Sequence, residues 1–110
     1  MKLDLLLANG LIVDPDVAPR HGSVGIRGGR IVAILGTGET LPSAETIDCA
    51  GRWIMPGVID PHVHFGFGTK IEEYTTETVY AAQGGITTVL GYFLNNEAYG
   101  EVYRREQEYA

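Results

Sequence analysis

The chain has 110 residues, of which 45% are hydrophobic and 20% are charged, with a formal net charge of −6 and a single cysteine. This length suits one modest domain, and the composition is that of an ordinary globular protein. The negative charge disfavours nucleic acid as a partner, because phosphate backbones carry the same sign. One cysteine excludes an intramolecular disulfide framework and indicates a reducing, cytoplasmic location. No apolar run approaches the ~20 residues of a membrane-spanning helix, so we expect no membrane partner.

The first half of the sequence predicts short β-strands separated by glycine turns. Leu3 to Ala8 is a strand candidate, and Asn9-Gly10 is typical of a two-residue hairpin turn. A polar loop is predicted from Asp14 to Gly22, and Gly28-Gly29 indicates a second tight hairpin between alternating strands. Regular short strands of this kind predict a small β-sandwich or barrel-like sheet in residues 1–55.

The sequence changes character near Pro56, where we place the boundary to a second segment, residues 56–110. Its strand-helix-strand-helix order predicts parallel strands joined by right-handed crossovers, with the first strand buried on both faces. The four predicted elements are a strand at Val58–Asp60, a helix at Glu72–Gln83 ended by Gly84-Gly85, a strand at Ile86–Phe93 and a helix from about Glu97 to Glu108. Five aromatic residues could mark a binding face, although we favour their packing against a barrel or a neighbouring element: Tyr92, Phe93, Tyr99, Tyr103 and Tyr109.

Two histidines, His62 and His64, directly follow the apolar strand. Residues i and i+2 of a strand face the same side, so the two imidazoles can lie side by side and share a metal ion. Asp60 is a candidate to orient one of these imidazoles by accepting a hydrogen bond from it. The alternative is a role in the turn at the end of the strand. A pair of exposed histidines without function is the other interpretation of the motif. We favour metal ligation because the pair ends an apolar strand and precedes a glycine-rich loop.

The segment Ile54-Met55-Pro56-Gly57-Val58-Ile59-Asp60-Pro61-His62-Val63-His64-Phe65 resembles the signature of the amidohydrolase superfamily. The resemblance is to its cyclic amidohydrolase branch, which holds dihydropyrimidinases (hydantoinases), dihydroorotases and allantoinases. The stretch from Ala81 to Val89 is similar to the family's second barrel strand and the helix before it. The resemblance implies a mixed α and β fold, with a small N-terminal β-sandwich followed by the first two βα units of a metal-dependent (β/α)8 TIM-like barrel. A complete barrel needs about 200 residues or more, so it would be incomplete here.

By this resemblance, His62 and His64 correspond to the first two ligands of a divalent metal, with zinc as the expected ion of a binuclear site. The family's carboxylated lysine, two further histidines and catalytic aspartate would lie beyond Ala110, and Lys70 is no substitute for that lysine. The implied reaction is hydrolysis of a small cyclic amide by metal-activated water, in an enzyme that we expect to form a homo-oligomer. Two imidazoles leave a metal half-coordinated, so we expect the chain alone to be inactive.

Gly66 narrows the expected substrate. Dihydroorotases and many allantoinases carry an arginine directly after His-x-His-Phe, where it can hold a substrate carboxylate. The glycine at this position favours a dihydropyrimidinase- or hydantoinase-like substrate, with dihydroorotase or allantoinase activity as the alternative. A non-catalytic assembly or binding protein derived from the same fold is a further alternative, against which the presence of both histidines argues. We expect the chain to be a fragment of a longer protein, a truncated product or a small domain that resembles the start of one.

Overall fold

A computed structural model of the chain describes residues 2–65, 72–92, 100, 101 and 104. The chain divides into two compact units, Met1–Pro56 and Gly57–Ala110. Strands make up most of the first unit, and the described part of the second unit contains two strands and one helix. Within these ranges, no helix has the length and apolar character needed to cross a membrane.

The first unit is a five-stranded sheet organised around its first strand. The strands are β1 (Leu3–Asp14), β2 (Val17–Arg27), β3 (Arg30–Leu35), β4 (Ser43–Asp48) and β5 (Trp53–Ile54). β1 pairs antiparallel with β2 on one side and parallel with β4 and β5 on the other, and β3 lies antiparallel to β2. Four apolar side chains of this sheet form the buried core: Leu3, Leu6, Ile12 and Val24.

The hairpin predicted at Asn9-Gly10 is wrong, because β1 runs through both residues as one strand. Asn9 has a φ of 55°, and the register of β1 against β2 shifts at this point, which makes the pair a β-bulge. Ser23 Oγ accepts a hydrogen bond from Asn9 N at 3.2 Å, and Gly51 N donates to Asn9 O at 2.7 Å. Asparagine and glycine both tolerate positive φ, which turns and bulges alike require, so residue type alone does not distinguish the two.

The polar loop predicted from Asp14 to Gly22 is also corrected. Only Pro15 and Asp16 form a turn, and β2 begins at Val17. Residues 17–22 pair with the second half of β1, so their polar side chains belong to a sheet strand. The tight turn predicted at Gly28-Gly29 is confirmed, with φ values of 57° and 70° that an L side chain rarely adopts.

The link between β4 and β5 keeps both strands on the same side of β1. Ala50 and Gly51 have φ values of 48° and 79°, and the Asp48 carboxylate accepts hydrogen bonds from Ala50 N at 3.0 Å and from Asn9 Nδ2 at 3.2 Å. The turn displaces the chain without reversing it, because both strands run parallel to β1. The described strands of this unit therefore form one sheet, and the two packed sheets of the predicted sandwich are not formed by them.

The second unit contains β6 (Val58–Val63), α1 (Glu72–Gln83) and β7 (Ile86–Gly91). β6 and β7 pair parallel across the helical connection, as predicted. The helix has the predicted bounds, and it ends where Gly84 N donates to Tyr80 O and Gly85 N to Ala82 O, each at 3.0 Å, with Gly85 at a φ of 87°. The second predicted helix, at about 97–108, lies largely outside the described residues.

The prediction that the strand before the histidines is buried on both faces is wrong for the described part of the chain. Val58 and Ile59 of β6 are 48% and 61% exposed, and Leu90 of β7 is also exposed. Burial of both faces of a parallel sheet requires a layer on each side, and the described part of this unit supplies one helix. The apolar sequence of β6 therefore exceeds what its described neighbours cover.

Gly57 brings the start of β6 close to β7. A Cβ atom at this position would overlap the side chain of Thr87, including its Oγ1 and Cγ2 atoms. Val58 N donates to Gly85 O at 2.9 Å. Val58 is paired with Ile86 and Ile59 with Thr88, so Thr87 is an additional residue on β7. The absence of a side chain at residue 57 thus permits the close approach that begins the parallel pairing.

Candidate metal site

His62 and His64 stand at the carboxyl end of β6. Between Asp60 and Val63 the register against β7 shifts, with three steps along β6 matching two along β7. The extra residue makes a β-bulge, a feature that re-aims side chains at strand ends. Tyr92 N donates to Val63 O at 2.8 Å, so pairing continues to the residue before His64. Strand pairing therefore fixes the main chain that carries both imidazoles.

The two imidazole rings converge through the same ring nitrogen. His62 Nε2 lies 3.1 Å from His64 Nε2, and the ring planes are inclined at 75°. Both side chains are exposed. Two imidazoles bound to one tetrahedral zinc ion, at Zn–N distances of about 2.0–2.1 Å, have their nitrogens about 3.3 Å apart. The side-by-side placement predicted from the i, i+2 spacing is therefore found, at a separation that suits two ligands of one ion.

Tyr92, directly after β7, contacts both histidines. Its ring stacks on the imidazole of His62, with centroids 4.3 Å apart and planes inclined at 13°. Its main-chain oxygen lies 2.7 Å from His64 Nδ1. A carbonyl oxygen only accepts hydrogen bonds, so Nδ1 of His64 carries the hydrogen and donates it. With Nδ1 as the donor to this carbonyl, Nε2 is the ring nitrogen of His64 that faces His62 and could bind a metal ion.

Asp60 acts on His62 through the main chain. Its Oδ1 accepts a hydrogen bond from His62 N at 3.1 Å, two residues along the chain. A carboxylate that accepts from the backbone two residues on forms an Asx turn, and the intervening Pro61 has no N–H to compete. This contact matches the strand-end turn role that the sequence left open for Asp60 beside a role in orienting an imidazole.

The donor set available in the described residues is limited to the histidine pair. Within residues 2–65 and 72–92, together with 100, 101 and 104, no group of three or more His, Cys, Asp or Glu side chains could hold a metal ion. A catalytic zinc site usually has three protein ligands and a water, so the pair supplies two of the donors that such a site needs. Gly66 and Lys70, which figured in the sequence predictions, lie outside the described residues.

The contact of Tyr92 with the histidine pair was not predicted from the sequence, which favoured core packing for this residue and left a binding face as the alternative. Its side chain is 44% exposed in the described structure and stacks on His62. The signal that identifies it is positional: parallel strands end at the same edge of a sheet, so the residue after the second strand lies beside the residues after the first. A second aromatic contact joins α1 to the segment after β6, where the ring centroids of Phe65 and Tyr74 lie 5.2 Å apart.

The chain is similar to curated hydrolases over most of its length, although no protein-family model matches it. It is 39% identical over 94 residues to a D-hydantoinase from Ralstonia pickettii, a match covering 82% of this chain and 20% of that protein. It is also 39% identical over 98 residues to an allantoinase from Deinococcus radiodurans, covering 87% of this chain and 21% of that protein. The chain therefore spans about a fifth of the length of these relatives.

Solved structures give the same result. The D-hydantoinase (dihydropyrimidinase) from Thermus sp. matches with a TM-score of 0.76 and 28% identity, over 94% of this chain and 24% of that one. The N-acyl-D-glutamate deacylase from Bordetella bronchiseptica, solved with zinc and a phosphonate inhibitor, matches with a TM-score of 0.66 and 31% identity, over 81% of this chain and 18% of that one. The resemblance to the amidohydrolase superfamily found in the sequence is confirmed: over most of its length the chain is similar to a D-hydantoinase, to an allantoinase and to the solved structure of a D-hydantoinase.

Proposed function

We propose that the complete protein is a metal-dependent hydrolase of cyclic amide C–N bonds and that this chain is its N-terminal portion. The matched relatives are about five times as long as the matched segment. The parallel unit β6–α1–β7 is the repeat from which a βα barrel is built. Its exposed apolar strand residues are those that further barrel elements would cover. In this proposal residues 1–55 form the small β-domain and residues 56–110 the first two βα units of a (β/α)8 barrel.

The proposed metal ligands are His62 and His64, and the observation that carries this assignment is the convergence of their Nε2 atoms at 3.1 Å. A pair with a purely structural role would be held by a single hydrogen bond between two exposed rings. Such a bond contributes little to the stability of the fold in water. The additional hydrogen bond from His64 Nδ1 to a main-chain carbonyl is the second contact that metal-ligating histidines usually make. Imidazole nitrogens suit zinc as well as copper, iron and nickel, and we propose zinc because one matched structure was solved with it.

In the proposed reaction, the described residues bind the metal ion and orient its ligands. A bound divalent ion supplies the chemistry of this class of hydrolase by lowering the pKa of water and polarising the amide carbonyl. His62 and His64 would hold that ion, and Asp60 would set the direction of His62 through the main-chain hydrogen bond. We expect the remaining ligands and the catalytic aspartate on later strands of the complete protein, as the resemblance implies. This division of ligands explains why we expect the isolated chain to be inactive.

For the substrate, we propose a hydantoin- or dihydropyrimidine-type ring without a ring carboxylate. One support is the glycine at position 66, where the dihydroorotase pattern carries an arginine. The other is the similarity to a D-hydantoinase and to a hydantoinase structure. The equal identity to an allantoinase keeps allantoin as the alternative ring.

Metal analysis of the complete protein tests the site directly. We expect purified wild-type protein to retain divalent metal and to hydrolyse hydantoin or dihydrouracil. The double variant His62→Ala/His64→Ala should lose both properties, because it removes two nitrogen ligands. His21→Ala is the matched control, since His21 is an exposed histidine on β2 of the other unit. Unchanged zinc content and turnover in the double variant would refute the site assignment.

Substrate comparison tests the second part of the proposal. The complete enzyme is offered hydantoin, dihydrouracil, allantoin and dihydroorotate under the same conditions, and kcat/KM is measured for each. We expect hydantoin or dihydrouracil to be hydrolysed best, whereas a higher kcat/KM for allantoin would favour the alternative ring. Efficient hydrolysis of dihydroorotate would overturn the inference from Gly66 while leaving the metal site untouched.

A further inference from the structure

We propose that Tyr92 is a positioning residue for the metal ligands, acting on His62 through its ring and on His64 through its main chain. The inference rests on the proposed metal function and adds a residue to it. Tyr92 lies directly after β7, and its N–H donates to Val63 O at 2.8 Å, so the position of its backbone is fixed by the β6–β7 pairing. A side chain on this backbone stays beside the histidine pair.

The ring of Tyr92 restrains the direction of the His62 imidazole. The side chain of His62 is exposed, and nothing in the strand geometry alone selects one ring orientation for it. In the stacked arrangement found here, with centroids 4.3 Å apart and planes inclined at 13°, the tyrosine ring contacts the face of the imidazole and restricts its rotation. In that orientation Nε2 of His62 points to Nε2 of His64, 3.1 Å away.

The main-chain oxygen of Tyr92 restrains the second ligand. It accepts a hydrogen bond from His64 Nδ1 at 2.7 Å, which makes Nδ1 the donor and holds the ring with Nε2 directed toward His62. Every substitution of Tyr92 keeps the main-chain oxygen. Every substitution except proline also keeps the N–H that donates to Val63 O and positions this part of the backbone. Side-chain variants therefore remove the restraint on His62 and leave that on His64 in place, which makes the two effects separable.

Metal affinity of the complete protein tests the role of the ring. Dissociation constants for Zn²⁺ and Co²⁺ are measured by competition with a chelator, and the visible absorption of the Co²⁺-loaded protein reports the ligand geometry. Tyr92→Leu should weaken binding by about three- to tenfold, the fold-change that corresponds to loss of an aromatic pair, and should alter the Co²⁺ spectrum. Tyr92→Phe keeps the stacked ring and should retain wild-type affinity and spectrum. Tyr80→Leu makes the same side-chain change on α1 and is the control.

A double-mutant cycle tests whether the effect passes through His62. In a His62→Ala background, Tyr92→Leu should cause no further loss of metal affinity, because the ring it removes has no ligand left to orient. Tyr92→Met replaces Tyr92→Leu if circular dichroism shows the latter to be unfolded. Wild-type affinity and spectrum in the folded Leu or Met variant would overturn the positioning role and leave the metal site standing. Failure of the wild-type protein to bind either metal would instead overturn the proposed function, and the inference with it.

Discussion

Replacement of Gly57 by alanine should loosen the pairing of β6 and β7 on which the histidine pair stands. The new Cβ would lie 2.7 Å from Thr87 Cβ and would overlap both branches of that side chain. Carbon atoms pack at about 3.5–4.0 Å, so the strands must separate by about 1 Å. Threonine is branched at Cβ and stiff, so it cannot swing away cheaply. Overpacking of this kind costs about 1–3 kcal/mol, and we expect about 2 kcal/mol at Gly57 because several atoms collide.

Equilibrium urea unfolding and hydrogen exchange of the complete protein measure this effect. The Val58 amide, bonded to Gly85 O at 2.9 Å, reports the local opening and should exchange about 30-fold faster for a loss of 2 kcal/mol. Gly91→Ala is the matched control, since the closest atom to its new Cβ would be Phe65 Cδ2 at 4.0 Å. In a Thr87→Gly background the cost of Gly57→Ala should fall below about 1 kcal/mol. Equal destabilisation by Gly57→Ala and Gly91→Ala would refute the steric reasoning.

Two further predictions concern the first unit. Leu3→Ala should destabilise it by about 2–5 kcal/mol, because Leu3 is 1% exposed, whereas Ile31→Ala, at a position that is 67% exposed, should cost less than about 1 kcal/mol in the same urea titration. The pKa of Asp48 is lowered from its usual 3.8, chiefly by the hydrogen bond from Ala50 N and then by that from Asn9. The unfolded chain therefore takes up this proton at a higher pH than the folded chain does, so the stabilisation by Asp48 is complete above the usual value and is lost as the pH falls through the lowered one. The difference in urea midpoint between wild type and Asp48→Asn should accordingly shrink below about pH 4, and a difference that grows on acidification would contradict the sign.

The second unit was the more predictable in its secondary structure. The helix Glu72–Gln83 has the predicted bounds because its signals are local: acidic residues in its first turn and two glycines after its last. Strand alternation predicted that His62 and His64 lie side by side, whereas the bulge between Asp60 and Val63 and the contacts with Tyr92 could not be read from that spacing. Local signals thus predicted the helix and the proximity of the two histidines.

Long-range pairing explains what the sequence did not reveal. Asn9-Gly10 has the composition of a hairpin turn, and it becomes a bulge because the link around Ala50-Gly51 packs against it from 40 residues away in the chain. Tyrosine is a residue type often found in protein cores, and Tyr92 contacts the histidine pair because β7 lies parallel to β6. In each case the residue types permit two structures, and a partner distant in sequence selects between them.

The histidine pair is organised by contacts within its own unit, yet the strands beneath it lack cover. Strand pairing, the Asp60 turn and Tyr92 set the direction of both rings over a span of about 35 residues. In contrast, the buried apolar side chains found in the described residues all belong to the first unit, and Val58 and Ile59 remain exposed. The relative placement of the two imidazoles is therefore encoded locally. If the pair binds a metal ion as proposed, the rigidity that tight binding requires would come from elements that cover β6, and we expect substitutions in residues that never touch the ion to change its affinity.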